Sequence, residues 1–258
     1  MTTAYAYVVA FVAGLLFGSF ANVAVLRAGD WSGILAGRSR CPQCRHALSF
    51  LDLVPVLSFL GLRGRCRYCG KPISFQYPLV ELAGGLLAGF AFWYGYAVHG
   101  SVLLAACLFF SLLFFLIVAV EDLISMEVSL PYCVIAGTVG GLGLWLSGTL
   151  SPFLVLAGAV AGAGIILLVS WLWKAATKTD GMGSGDAWIA GAVGAAVGWP
   201  LVAVAFLAAV LAGAATGIAF YGGGRSLRGV RLPFGPFLGL GVLIALAWGQ
   251  AIIRWYIL

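Results

Sequence analysis

Apolar positions in this chain come in long runs, each close to the ~20 residues at ~1.5 Å rise that cross a hydrocarbon core as a helix. The runs are Ala4–Leu26, Pro78–Val98, Val102–Val120, Val128–Leu146, Pro152–Trp173, Asp186–Val197, Leu201–Tyr221 and Phe234–Ile253. They predict an all-α polytopic membrane protein with about eight transmembrane helices, of which the sixth is the shortest. Gly158/Gly162 and Gly194/Gly198 stand four apart, a spacing that lets helix backbones approach closely in lipid. No Lys or Arg precedes the first run, and it is longer than the apolar stretch of a signal peptide. It therefore reads as a retained helix.

Composition supports lipid as the solvent. Of the 258 residues, 63% are hydrophobic and 9% charged, against roughly 45–50% and about 25% in soluble domains. A mean hydropathy of +1.09 excludes a soluble globular enzyme, a disordered tail and a disulfide-stapled secreted module. Charge then orients the helices. Arg27, Arg38, Arg40, Arg45, Arg63, Arg65, Arg67 and Lys71 fall between the first two runs, against Asp30 and Asp52, a surplus equal to the whole net charge of +6. Lys174 and Lys178 follow the fifth run, and Arg225, Arg228 and Arg231 the seventh; Arg254 alone falls on the other side. By the positive-inside rule the basic side is cytoplasmic and the N-terminus lies outside. Topology accounts for the basic residues, so no nucleic-acid partner is expected.

The organisation is a first helix (1–26), a polar segment (27–77) and a larger helical part (78–258). The polar segment contains Cys41-Pro-Gln-Cys44 and Cys66-Arg-Tyr-Cys69, with 21 residues between the pairs. Two such turns facing each other present four thiolates in the tetrahedral arrangement of a structural zinc site. Disulfides are the alternative, and a reducing cytosolic loop argues against them. Cys107 and Cys133 lie within apolar runs and read as packing thiols.

Acids at membrane depth are costly and mark function by default. Asp30, Asp52 and Asp180 lie in loops and are expected to be solvated. Glu121 and Asp122 end the third run, Asp186 begins the sixth, Glu81 opens the second and Asn22 lies near the end of the first, all on the cytoplasmic side. In Gly183-Ser184-Gly185-Asp186 the aspartate is either a helix N-cap or a carboxylate held close to a partner. If Asp122 and Asp186 face each other they share a proton, so the pair holds an acid and a base at once, which is the chemistry of aspartyl peptide hydrolysis. The helix start at Asp186 favours it as the ionised member. Paired acids also serve proton-coupled transporters, whose sites sit near the midplane; a membrane-anchored zinc module would leave the two aspartates without a task.

Several stretches together resemble the prepilin peptidase family, the type IV leader peptidases. Gly14-Leu15-Leu16-Phe17-Gly18-Ser19-Phe20-Ala21-Asn22-Val23 is similar to its first-helix signature, and Cys41 through Glu81 to its cytoplasmic cysteine domain, with Asp52-Leu53-Val54-Pro55-Val56-Leu57-Ser58 and Tyr77-Pro78-Leu79-Val80-Glu81 inside it. Asp122-Leu123 and Gly181-Met182-Gly183-Ser184-Gly185-Asp186 resemble its two catalytic-aspartate regions, and Pro233-Phe234-Gly235-Pro236-Phe237 the motif opening its last helix. The chain departs from the family at Ser129, where a proline is common and Pro131 follows instead, and at Gln76, Trp188 and the acidic doublet partner Glu121. The resemblance implies an enzyme of the bacterial inner membrane. It would cut prepilins or pseudopilins after a glycine using Asp122 and Asp186, then methylate the new N-terminal amine from S-adenosylmethionine. No glycine-rich loop follows a strand, so a soluble dinucleotide-type fold for that cofactor is not expected. The resemblance places methyl transfer at the membrane–loop junction, with Asn22 and Glu81 as its candidates.

Overall fold

The computed structural model describes residues 2–29, 33–34, 37–179, 184–222 and 232–257. Among them every regular element is helical. Without water to satisfy the backbone, a helix pairs each N–H and C=O within its own segment. The chain forms two compact units, Met1–Trp93 and Tyr94–Leu258.

The first unit holds α1 (Thr2–Leu26), a 3₁₀ turn (Phe50–Leu53), the short α2 (Leu57–Gly61) and α3 (Gln76–Phe92). Helices α1 and α3 pack as an antiparallel pair. Glycine makes this possible: a β-carbon on Gly18 would lie 2.8 Å from the Glu81 Cα, and one on Gly14 would run into the Gly84 carbonyl. Gly14 against Gly84, Gly18 against Glu81 and Asn22 against Tyr77 form one seam, read in opposite directions along the two helices.

The second unit comprises α4 (Val102–Ser125), α5 (Leu130–Leu146), α6 (Pro152–Thr177), α7 (Ser184–Val197), α8 (Leu201–Gly222) and α9 (Gly235–Ile257). Ser101 and Ser151 cap α4 and α6 by accepting the amides of Leu104 and Leu154. Met126, in the left-handed conformation, ends α4. Short links make α4 through α8 run alternately up and down. Helix α7 packs against α5, α6, α8 and α9, and α9 also packs on α4 and α8. The shortest long helix is thus the most enclosed, with Ile189, Ala190, Val193, Ala196 and Val197 at most 1% exposed. The small-residue contact expected from the sequence is present: Gly158 faces Gly194 and Gly198, and Gly162 faces the Ala190 carbonyl.

Among the described residues eight apolar helices match the eight runs, but six have the length and composition of a crossing. Helix α5, with 17 residues, and α7, with 14, are shorter. At ~1.5 Å per residue they reach about 25 and 21 Å, below the ~30 Å of a hydrocarbon core. Helix α4 continues past Val120 to Ser125, because nothing before Met126 breaks it. Glu121 and Asp122 are therefore within the helix and buried, at 4% and 6% exposure.

Gly194→Ala would push a methyl group into the Gly158 backbone. Helix separation of this kind is expected to cost about 1–3 kcal/mol. Gly164→Ala, whose β-carbon meets nothing, should be neutral or stabilising through helix propensity. Thermal unfolding of the two variants in detergent compares them directly.

Candidate active site and metal centre

The two cysteine pairs are built alike. In each, the first cysteine's amide donates to the carbonyl five residues on (His46, Lys71), and the residue after the second cysteine (Arg45, Gly70) donates back to the first. Isolated bridges, Arg40 with Ala47 and Arg65 with Pro72, close the two hairpins. Arg45 and Gly70 both adopt positive φ, at 59° and 68°. The fold brings Cys41, Cys44, Cys66 and Cys69 together, with all four sulfurs within 4.8 Å of one another. The Cys41 and Cys69 sulfurs are 4.0 Å apart, near the ~3.8 Å edge of a tetrahedron with ~2.3 Å metal–sulfur bonds and far beyond a disulfide bond. The donor set and its spacing fit a four-coordinate, thiophilic metal ion such as zinc.

Asp52 is not the solvated loop acid that the sequence suggested. Its side chain is 4% exposed. It accepts from the Ser49 amide (3.0 Å) and hydroxyl (2.7 Å), from Arg67 Nε (2.7 Å) and from the Tyr68 hydroxyl (3.0 Å). Burial pushes its pKa up, but these four donors outweigh it and hold the carboxyl at about 2. Asp52 thereby ties the 3₁₀ turn to the second cysteine hairpin. Asp30 and Asp180 lie outside the described residues.

Asn22 and Glu81 occupy the seam between α1 and α3. Asn22, 1% exposed, donates from Nδ2 to the Tyr77 carbonyl (3.1 Å), while its Oδ1 has no hydrogen-bond partner. Glu81 Oε2 accepts the Val56 amide at 2.7 Å, and Ser19 hydrogen-bonds the same carboxylate. Val56 has φ 61° and ψ −48°, and the Leu57 amide reaches back to the Pro55 carbonyl across it. This is the rare positive-φ γ-turn, strained for a β-branched residue. Strain of this kind costs about 1–3 kcal/mol and persists only where surrounding groups enforce it. The Glu81 carboxylate is one such group.

In the second unit, Asp122 Oδ2 accepts the amide of Gly235 at 2.7 Å, at the start of α9. Asp186 stands half-buried in the first turn of α7. The preceding Gly185 lies against Val128, with its β-carbon position 3.1 Å from the Val128 Cβ. The segment leaving the Asp122 helix therefore touches the start of the Asp186 helix. Both aspartates are at helix ends, at the same end of this unit. Asp122 is met by a helix N-terminus across space, as Asp186 stands in the first turn of its own helix. Gly181, Met182 and Gly183 lie outside the described residues, as do Arg225, Arg228 and Arg231. Glu121 turns elsewhere, accepting the Ser129 hydroxyl at 3.1 Å. Ser129 thus holds the doublet partner, while Pro131 stands in the first turn of α5. Cys133 is buried, and Cys107 packs on Gly143. Nothing in the local sequence marks Ser129 or Val56 for these contacts; the signal for Gly235 is its place in the Pro-Phe-Gly-Pro-Phe stretch.

Comparison with known proteins gives a consistent result. The profile of the bacterial peptidase A24 N-terminal domain matches residues 12–95, and that of the type IV leader peptidase family matches residues 107–218. The chain is 35% identical over 255 residues to a prepilin leader peptidase/N-methyltransferase of Bacillus subtilis (strain 168), covering 96% of each chain. It is 32% identical over 275 residues to the protein of that name from Stutzerimonas stutzeri, and 34% over 273 residues to that from Aeromonas hydrophila. In both cases 96% of this chain and 92% of the relative are covered. No solved structure matches the chain significantly.

Purified protein should carry about one equivalent of metal, because four thiolates close one coordination sphere. Cys41→Ser/Cys66→Ser should carry none, as read by metal analysis.

Proposed function

Because the chain belongs to the type IV leader peptidase family, we propose that it removes the leader of prepilins or pseudopilins after a glycine and methylates the amine so exposed. What supports the peptidase half is one arrangement: a buried Asp122 tied to the start of α9, with the Asp186 helix starting against the segment that follows it. The ionised carboxylate of the pair takes a proton from water as the water oxygen bonds to the scissile carbonyl carbon. The protonated partner hydrogen-bonds the carbonyl oxygen. The C–N bond then breaks and the leaving amine takes the proton, yielding a free carboxylate and a free N-terminus.

The setting follows from the helices. Six apolar helices among the described residues are long enough to cross, which supports a multi-pass protein of the inner membrane with lipid around it. Lys174 and Lys178 stand at the α6 end, and the cysteine loop carries most of the remaining basic residues. On the positive-inside rule this charge pattern supports a cytoplasmic loop, a cytoplasmic aspartate end and an N-terminus outside. A substrate would present its basic leader there and keep its apolar helix in the bilayer. The acids lie at helix ends, whereas transporter sites lie near the midplane.

Zinc at the four cysteines would crosslink the loop. For methyl transfer, Asn22 and Glu81 would meet S-adenosylmethionine: a buried acceptor lacking a donor and a nearby carboxylate suit a cationic group with N–H and O–H donors. When bound, that cofactor supplies an electrophilic methyl group.

Asp122→Asn and Asp186→Asn should each lose leader cleavage by about 10³-fold or more, with the double variant little worse, since members of one catalytic unit are not additive. Glu127→Gln should cleave normally. Prepilin processing in detergent reads all four, and near wild-type cleavage by either folded aspartate variant would overturn the assignment. Glu81→Gln should lower transfer of labelled methyl from S-adenosylmethionine to mature pilin while cleavage continues. Equal loss of both activities would remove Glu81 from the methyl-transfer site.

A further inference from the structure

Helix α9 starts without a local cap. A helix N-terminus needs acceptors for its first amides, commonly a Ser, Thr, Asp or Asn side chain just before it. Ser101 and Ser151 do this for α4 and α6. Before α9 stand Leu232, Pro233 and Phe234, none with a side-chain acceptor, and Pro236 brings no N–H. The amide at the helix start, on Gly235, goes to Asp122 Oδ2 at 2.7 Å, 113 residues away in sequence. Space at the contact is equally specific. A β-carbon on Gly235 would lie 2.9 Å from Asp122 Oδ2 and 3.3 Å from Asp122 Cβ. Four residues on, in the same helix, a β-carbon on Gly239 would meet nothing.

Resting on the peptidase reading above, we propose that Gly235 is a positioning residue of the reaction: its amide sets the rotation of the Asp122 carboxylate, and its lack of a side chain is what lets the two meet. The helix start takes its cap from a reacting carboxylate, so α9 and Asp122 position each other. One carboxylate oxygen is turned towards α9, which fixes the plane in which the other can meet water or the partner acid. Hydrolysis by a carboxylate pair depends on that plane, because misplacement by about 1 Å can cost roughly 100-fold in rate.

The test joins kinetics to a thermodynamic cycle. Gly235→Ala should lower kcat for prepilin cleavage about 10- to 100-fold with KM within about twofold, since the amide acts on the carboxylate and not on the substrate. Gly239→Ala should match wild type. Thermal midpoints of wild type, Gly235→Ala, Asp122→Ala and the double variant are then compared. Gly235→Ala should lower the midpoint when Asp122 is present and lower it much less in the Asp122→Ala background, where the carboxylate is gone and only the β-carbon remains. If Gly235→Ala does not fold, a folded double variant supports the proposal and an unfolded one overturns it. Wild-type kcat in folded Gly235→Ala, or the same midpoint loss in both backgrounds, also overturns it. Should wild-type protein cleave no prepilin, the peptidase reading fails, while the cycle still reports the Gly235–Asp122 contact by itself.

Discussion

A carboxylate taken out of water needs donors, and three carboxylates of this chain each take one from a backbone amide where a helix begins. Asp52 takes the amide of Ser49 before the 3₁₀ turn, Glu81 that of Val56 before α2, and Asp122 that of Gly235 at the start of α9. The economy is mutual. A helix start has amides with no intrahelical partner, and a buried acid has lone pairs that lack water. Each contact satisfies both needs and fixes a side chain relative to a second element. Lys and Arg could have served the acids, but of these only Asp52 has one, in Arg67. Cationic partners at membrane depth would themselves be costly.

These contacts require helices that approach closely, and hydrophobicity does not drive that in lipid, where tails are as apolar as leucine. Small residues replace it. The α1–α3 seam rests on Gly14, Gly18 and Gly84, and the α6–α7 seam on Gly158, Gly162 and Gly194. In the first unit the same seam that closes the helices also lines up Ser19, Asn22, Tyr77 and Glu81. Gly18 is the hinge of that arrangement, since a side chain there would strike the backbone of Glu81 itself. Helix packing and placement of polar groups are one structural event.

The cysteine loop solves a different problem. A segment of about fifty residues is too short to build a large core, and its four clustered thiols form a site at which a metal ion could crosslink it. The two hairpins have the same hydrogen bonds and the same positive-φ residue, filled by Gly70 in one and by Arg45 in the other. Asp52 joins the second hairpin to the 3₁₀ turn, and Arg27 secures the start of the loop by donating to the carbonyls of Gly33, Gly37 and Arg38.

The sequence by itself determined the helices, the cysteine cluster and the family, because each depends on local pattern: run length, Cys-x-x-Cys spacing, short motifs. It also located Asp122 and Asp186, since acids are conspicuous in a chain with 9% charged residues. It did not separate a crossing from a shorter buried helix, because α5 and α7 are as apolar as their neighbours and differ in where their ends fall. It placed Asp52 in water, since the donors from Arg67 and Tyr68 arrive only when the second hairpin folds back. Tertiary structure alone decided that Val56 is held by Glu81, that Ser129 holds Glu121, and that Gly235 lies on Asp122. These contacts join residues 8 to 113 positions apart. No periodicity records them, because a backbone amide looks the same in every residue and gains its role only from what the fold sets before it.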